Sequence, residues 1–352
     1  MTLLNRALFA FTLCFSAVFI FNTYAADANR KTVESRTLSL PGAASEQLQA
    51  SILAVPGLLF SSGGQTLETT EQWEAFVTAR GAQVVSPDGP AQVPGVLIER
   101  DMIAGVNVYR VTPDEISPEH SNHLFLHAHG GGYILGGGDG SVGEAVSVAL
   151  SSGIRALSVD YRMPPDSPFP AAIDDMVAVY KEVLKTHSAD GIAIGGTSAG
   201  GGLTFATALQ LKALNLPLPS ALYVGTPWAD LTNTSDTLNT NAGIDRVLGN
   251  YFELLQAAAL VYAGGRDLKD PLISPLYGDF NGFPSTILFS GTRDLLLSDT
   301  VRSHRKLRAA GVVADLHVFE GLSHAGYLIA AGSPESKAML AELSQFLKTH
   351  LN

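Results

Sequence analysis

Gly191-Ile192-Ala193-Ile194-Gly195-Gly196-Thr197-Ser198-Ala199-Gly200, continued by Gly201-Gly202-Leu203-Thr204-Phe205-Ala206, is the stretch on which the reading of this chain turns. A short apolar run reads as a buried strand, and the small-residue run after it reads as a helix. Between them Gly196-x-Ser198-x-Gly200 matches G-x-S-x-G, a sharp strand-to-helix turn that lifts a serine hydroxyl to the edge of a sheet. Glycine belongs there because the backbone is strained and crowded. A glycine-rich turn at a helix start can also cradle phosphate. No G-x-x-x-x-G-K-[ST] surrounds Ser198, which disfavours nucleotide binding.

About seventy residues upstream lies His129-Gly130-Gly131-Gly132, the HGGG pattern of a loop that helps bind an oxyanion. A serine at its free pKa is a poor nucleophile, so a base must take its proton and a carboxylate must orient that base. In the chain order Ser, Asp/Glu, His, the sequence offers Asp294 after the apolar run 286–289, and His324 after the alternating run 315–319. Each falls just past a predicted strand end, the edge where α/β sheets gather their chemistry. Asp299, with Ser298 as an expected N-cap, reads as a carboxylate favouring a helix dipole. Glu320 precedes His324 too closely to reach around it. His304 and His317 read as a helix-face and a strand residue, and His187 and His350 sit near helix C-termini. His127 and His129 are expected to hydrogen-bond loop backbone.

The order and spacing of these segments resemble the bacterial hormone-sensitive-lipase-like esterases, in the branch whose elbow reads GTSAG. The resemblance runs through His127–Gly132 and Tyr133, through Asp160-Tyr161-Arg162-Met163-Pro164-Pro165 to Ala172, and through Gly196–Gly202. It continues in Thr226-Pro227-Trp228-Ala229-Asp230-Leu231, Ser274-Pro275-Leu276-Tyr277, Asp294 and His324. It implies an α/β-hydrolase fold, no cofactor, and hydrolysis of short- to medium-chain esters or of lactones by Ser198, His324 and Asp294. It also implies oxyanion N–H donors from Gly131, Gly132 and Ala199, and Tyr133 as a substrate-binding residue. His324-Ala325-Gly326, where a direct glycine is commoner, and Leu295-Leu296-Leu297 after Asp294 depart from the family pattern. In the same light Asp160, Tyr161 and Arg162 read as scaffold, and Asp174 and Asp175 as cap or surface carboxylates.

The chain has 352 residues, nearly half apolar, enough for one large α/β domain and a smaller attachment. A net charge of −11 discourages nucleic acid and anionic membranes as partners. The basic run 302–308 has helical spacing and reads as a solvated face. No histidine or cysteine joins the acidic pairs at ligand spacing, so no metal is expected. At the N-terminus Arg6 precedes an apolar run to Phe21 and a Thr23-Tyr24-Ala25 junction, the form of a signal peptide over residues 1–25. Export with cleavage near Ala25 is expected. A membrane contact would remain only if that segment stayed attached. Cys14, the sole cysteine, would be lost with it, and no disulfide is then available.

Residues 26–95 read as a helical cap region, with helices near 46–53 and 71–80. By the resemblance Trp73 and Phe76 could line the substrate pocket; their helical spacing equally suits core anchoring. From 96 to 352 strands and helices alternate. Expected strands lie at 96–99, 106–111, 124–127, 156–159, 192–194, 222–224, 286–289 and 316–319, and helices at 141–151, 171–186, 199–213, 299–310 and 334–348. That alternation predicts a mainly parallel, doubly wound sheet with helices on both faces. Segment 229–265 interrupts it and is expected to complete the cap. A small-molecule ester or lactone is the expected partner, with a homodimer left open. An acyltransferase, a peptidase, or a non-catalytic binding module on the same fold are the alternatives.

Overall fold

Apolar runs with little alternation belong to strands covered on both sides, and here they occupy the centre of one sheet. The computed structural model describes residues 37–54, 60, 62–65, 67–80, 83–84, 86 and 89–352, so residues 1–25, read above as a signal peptide, and Cys14 lie outside the described residues. Pro41–Asn352 forms one unit, and Met1–Leu40 is a separate one. The strands in chain order are β1 (Gln83–Val84), β2 (Val96–Ile103), β3 (Val106–Pro113), β4 (Leu124–Ala128) and β5 (Gly137–Gly138). They continue with β6 (Arg155–Val159), β7 (Ile192–Thr197), β8 (Ala221–Gly225), β9 (Ser285–Gly291) and β10 (Ala314–Phe319).

Eight of them make the main sheet in the order β10-β9-β8-β7-β4-β6-β3-β2, parallel except where β3 pairs antiparallel with β6 and β2. β1 and β5 add a separate two-residue parallel ladder. Every residue of β4, β7 and β8 is buried, whereas β2 at the edge exposes alternate positions at its start and then a longer polar run. The expected strands are all present, one to four residues longer than read.

Helices Ala171–Val183, Ala199–Ala213 and Leu297–Ala309 cover one face; Gly143–Ser152 and Pro334–His350 cover the other. Alternate strand residues feed the two cores: Leu124 and Leu126 go one way and Phe125 the other, Leu222 and Val224 one way and Tyr223 the other. A Leu→Ala change at any of these buried leucines would cost about 2–5 kcal/mol. The helix after Ser198 is small or apolar nearly all round because it is wedged among strands and neighbouring helices, so it shows no polar stripe until Gln210.

Two expectations for helix termini are corrected by the packing. The helix expected at 299–310 starts at Leu297 with Leu296 as its N-cap, and Ser298 instead bonds the backbone N–H of Thr237. Asp299 is fully buried and accepts hydrogen bonds from the Ala229 and Asp230 N–H groups and the Ser235 hydroxyl. It anchors the chain leaving β8 from the first turn of that helix, where the dipole also favours a carboxylate, as expected. Asp175, read as a cap or surface carboxylate, is also buried and takes a bidentate contact from Arg162.

Candidate active site

β7 ends at Thr197, and Ser198 turns the chain into the next helix with φ 64° and ψ −123°. A non-glycine residue in that region is strained. The strain is held by hydrogen bonds on both sides: Ser198 N–H donates to Gly225 O at 2.8 Å, and Trp228 N–H donates to Ser198 O at 3.0 Å. The flanking glycines are sterically required. A Cβ on either Gly196 or Gly200 would lie 1.9 Å from the Ala128 carbonyl oxygen, because the elbow is pressed against the end of β4.

Asp294 and His324 arrive from the ends of β9 and β10, the two paired strands at one side of the sheet. Ser198 Oγ lies 2.8 Å from His324 Nε2, and His324 Nδ1 lies 3.0 Å from Asp294 Oδ1. The Asp294 carboxylate is fully buried yet satisfied, since Oδ1 also accepts the Leu296 N–H and Oδ2 accepts the Ser290 hydroxyl. Such a chain can pass a proton from the hydroxyl to the imidazole while the carboxylate fixes the ring.

The HGGG turn lies across the elbow. A Cβ on Gly130 would stand 3.0 Å from the Thr197 carbonyl and 3.5 Å from Ser198 Cβ, and Gly131 and Gly132 adopt φ 112° and 64°. Ile134 and Leu135 N–H groups both donate to the Gly131 carbonyl and close the turn. His129 steadies it. Its Nδ1–H donates to the Gly130 carbonyl at 2.7 Å, its ring stacks on Tyr161 at 4.0 Å, and burial holds its pKa down to about 3. It is therefore neutral in the working pH range and serves the backbone, as expected.

His127 does not follow that expectation. Its ring contacts side chains: Ser158 Oγ at Nδ1 and Glu144 Oε2 at Nε2, 3.0 Å away. Because Ser158 donates its own proton to Ser141 O, it must accept from His127 Nδ1–H, and the Nε2–Glu144 contact then holds one further proton. The other Glu144 oxygen accepts from Thr197 and Tyr223, and Tyr327 joins at Thr197. One buried network thus ties the residue before Ser198 to the helical turn Gly326–Ile329 that follows His324.

The cavity over Ser198 holds about 350 Å³, at the small end for a small-molecule site. Its walls include Phe60, Leu135, Val247, Leu248, Leu255 and Leu328, with Ser198, His324 and the HGGG glycines at its base. Tyr133, Trp73 and Phe76 are absent from this lining, a correction to the resemblance-based expectation. Tyr133 is buried and stacked 3.8 Å from Tyr262, while Trp73 and Phe76 meet edge to face at 5.9 Å and are buried in the core. The residues that do form the walls carried no sequence signal beyond being apolar. Val247, Leu248 and Leu255 come from the 229–265 interruption, whose position over the site was the only available hint.

A family described as alpha/beta hydrolase fold matches residues 125–328, the span from the start of the HGGG strand to just past His324. A protein named simply "Esterase" from Acinetobacter venetianus is 32% identical over 259 residues, covering 72% of this chain and 83% of its own length. Among solved structures, one described as an esterase E25 superposes with a TM-score of 0.84 at 43% identity, covering 92% of this chain and all of its own. A second, described as an esterase from the bacterial hormone-sensitive lipase family, gives a TM-score of 0.74 at 30% identity, covering 88% of this chain and all of the other. With an open, mostly parallel eight-stranded sheet and these matches along most of its length, the chain belongs to the α/β-hydrolase family, among the bacterial hormone-sensitive-lipase-like esterases, and is a carboxylic ester hydrolase.

Proposed function

We propose that the protein hydrolyses short- to medium-chain acyl esters through an acyl-enzyme on Ser198. The observation that carries this is the unbroken Ser198–His324–Asp294 hydrogen-bonded array at the base of a small, mainly apolar cavity. Ser198 Oγ attacks the ester carbonyl carbon as its proton passes to His324 Nε2, and the Nδ1–H bond to Asp294 steadies the imidazolium. The carbonyl oxygen gains the electron pair and is held by N–H groups of Gly131, Gly132 and Ala199, one such donor contributing about 10²–10³ in rate. Collapse of the tetrahedral intermediate breaks the C–O bond, and His324 returns the proton to the leaving alcohol. Water then attacks the acyl carbonyl as its proton passes to His324 Nε2; the C–Oγ bond breaks, His324 returns that proton to Ser198 Oγ, and the acid leaves. A lactone ring would open by the same steps.

The Phe60 wall and the 247–255 wall support a cap built from residues 26–95 together with 229–265. About 350 Å³ suits a short acyl chain better than a long one. Export through residues 1–25 completes the proposal. The N-terminal sequence of the protein recovered outside the cytoplasm, starting near Ala26, would support it, and a start at Met1 would refute it.

Initial rates on p-nitrophenyl esters from acetate to palmitate, with a lactone alongside, test the substrate class. The expected optimum lies at short to medium acyl chains and vanishes in Ser198→Ala. Activity rising steadily to palmitate would contradict the cavity argument.

A further inference from the structure

Asp245 lies in the loop Asn241-Ala242-Gly243-Ile244-Asp245-Arg246-Val247-Leu248, far in sequence from both Asp294 and His324, and it is buried to 2% exposure. A lone carboxylate in that position must be satisfied by donors. It is, by four backbone N–H groups. Oδ1 accepts from Val247 at 2.8 Å and Leu248 at 3.1 Å, which closes its own turn. Oδ2 accepts from Leu295 at 2.7 Å and from His324 itself at 3.2 Å. One oxygen therefore joins the residue after Asp294 to the backbone of His324, while the other holds two residues of the cavity wall.

The same loop grips Asp294 a second way. Asn241 Nδ2 donates to the Asp294 carbonyl at 2.8 Å and reaches the Thr292 carbonyl at 3.3 Å, and Arg246 N–H donates to Ser323 Oγ at 3.2 Å. Asp294 and His324 sit on loops from two paired strands, β9 and β10, whose register runs to Gly291 opposite Phe319. It is carried on by Thr292 N–H to the Phe319 carbonyl and Arg293 N–H to the Leu322 carbonyl. Past those bonds, Asp245 Oδ2 bridges the Leu295 and His324 N–H groups. A 1 Å slip between the two loops would open the 3.0 Å Nδ1–Oδ1 bond and could cost about 10² in rate.

We propose that Asp245 is a positioning residue for ester hydrolysis: its carboxylate clamps the Asp294 and His324 loops in register and couples them to the Val247–Leu248 wall. This rests on the triad reading above. The ionisable groups facing Asp245 are Asp294 and His324; burial and the Asp294 charge raise its pKa, and the His324 imidazolium opposes that rise.

The test is Asp245→Asn in the full-length protein. Asparagine keeps one oxygen for two of the N–H groups and opposes the other pair with an NH₂ group, which breaks the link without changing volume. Expected results are a fall in kcat of about 10- to 100-fold with KM within about 3-fold. A purely structural role would lower the Tm and leave kcat per folded active site in place. Wild-type kcat per folded active site overturns the proposal. Should Asp245→Asn not fold, Asn241→Ala carries the test, since it loosens the same grip on Asp294 without stranding a charge. It should lower kcat by about 5-fold or more at unchanged KM, and unchanged kcat would overturn the proposal. Ser198→Ala in parallel separates the two readings. Activity surviving in Ser198→Ala sinks the triad, whereas an inactive Ser198→Ala beside a wild-type-like Asp245→Asn sinks this inference alone.

Discussion

Replacing Gly131 by alanine tests the HGGG turn with a single methyl group. At φ 112° an L-residue is strained, and the added Cβ would lie 2.1 Å from the Leu135 carbonyl oxygen and 2.6 Å from its carbon. Both are backbone atoms, so no side chain can swing away. Nor can the turn widen freely, because Leu135 N–H is bonded to Gly131 O at 2.9 Å and Ile134 N–H at 3.2 Å. Relief requires rotating the 131–132 peptides, which turns the N–H groups away from the oxyanion. Loss of one donor corresponds to about 3–4 kcal/mol in the barrier, or about 10²–10³ in kcat. The control is Gly140→Ala in the lining of the same cavity, where an added Cβ meets nothing within 4 Å. The assay is steady-state hydrolysis of p-nitrophenyl butyrate, with active sites counted by phosphonate titration and folding followed by circular dichroism. Gly131→Ala should lose at least about 100-fold in kcat while folded, and Gly140→Ala should stay within about 2-fold. A Gly131→Ala protein within about 3-fold of wild type, or equal losses in both, would refute the reasoning.

Three further outcomes follow from the same geometry. Phe60→Ala enlarges the cavity wall and should move the preferred acyl chain longer by two carbons or more, measured as kcat/KM along the ester series; an unchanged optimum would remove Phe60 from the acyl site. Trp73→Ala, buried and off that wall, should instead cost about 3–5 kcal/mol of stability with chain preference unchanged, and a shifted preference would restore the pocket role. Asp299, buried beside Asp230 and Arg302, has its carboxyl pKa pushed from 3.8 up to about 7 by burial. A raised folded pKa means the native state binds more protons, so this group's contribution is whole below about pH 4 and is lost as pH rises to about 7, roughly 4 kcal/mol in all. Asp299→Asn should remove that slope from the urea-unfolding free energy across pH 4–7; parallel slopes in the two proteins would count against it.

Much of the architecture was legible because it is local. Buried parallel strands leave unbroken apolar runs, and 192–194, 222–224 and 286–289 could be read without partners. That Ser198, Asp294 and His324 come together was legible because this topology places polar groups at strand ends in a fixed chain order. The cavity walls were not, since Phe60, Val247, Leu255 and Leu328 meet only after distant segments pack, and an apolar residue carries no mark of which surface it will face. Asp299 was half legible: its place in the first turn of a helix could be read locally, while its N–H partners in the 229–230 backbone come from a distant segment. Asp245 was invisible for the same reason: an aspartate in a Gly-Ile-Asp-Arg loop looks ordinary until two strand-end loops close on it. Tyr133 shows the opposite failure. A residue adjoining the HGGG turn was expected to meet substrate, and instead its ring is buried against Tyr262.

The most direct measurement is covalent labelling by diethyl p-nitrophenyl phosphate, followed by intact mass and peptide mapping. The account predicts one diethylphosphoryl group per chain, located on Ser198, with activity lost in proportion to labelling, and no incorporation in Ser198→Ala. Labelling at another residue, or full activity in a protein quantitatively labelled at Ser198, would contradict it.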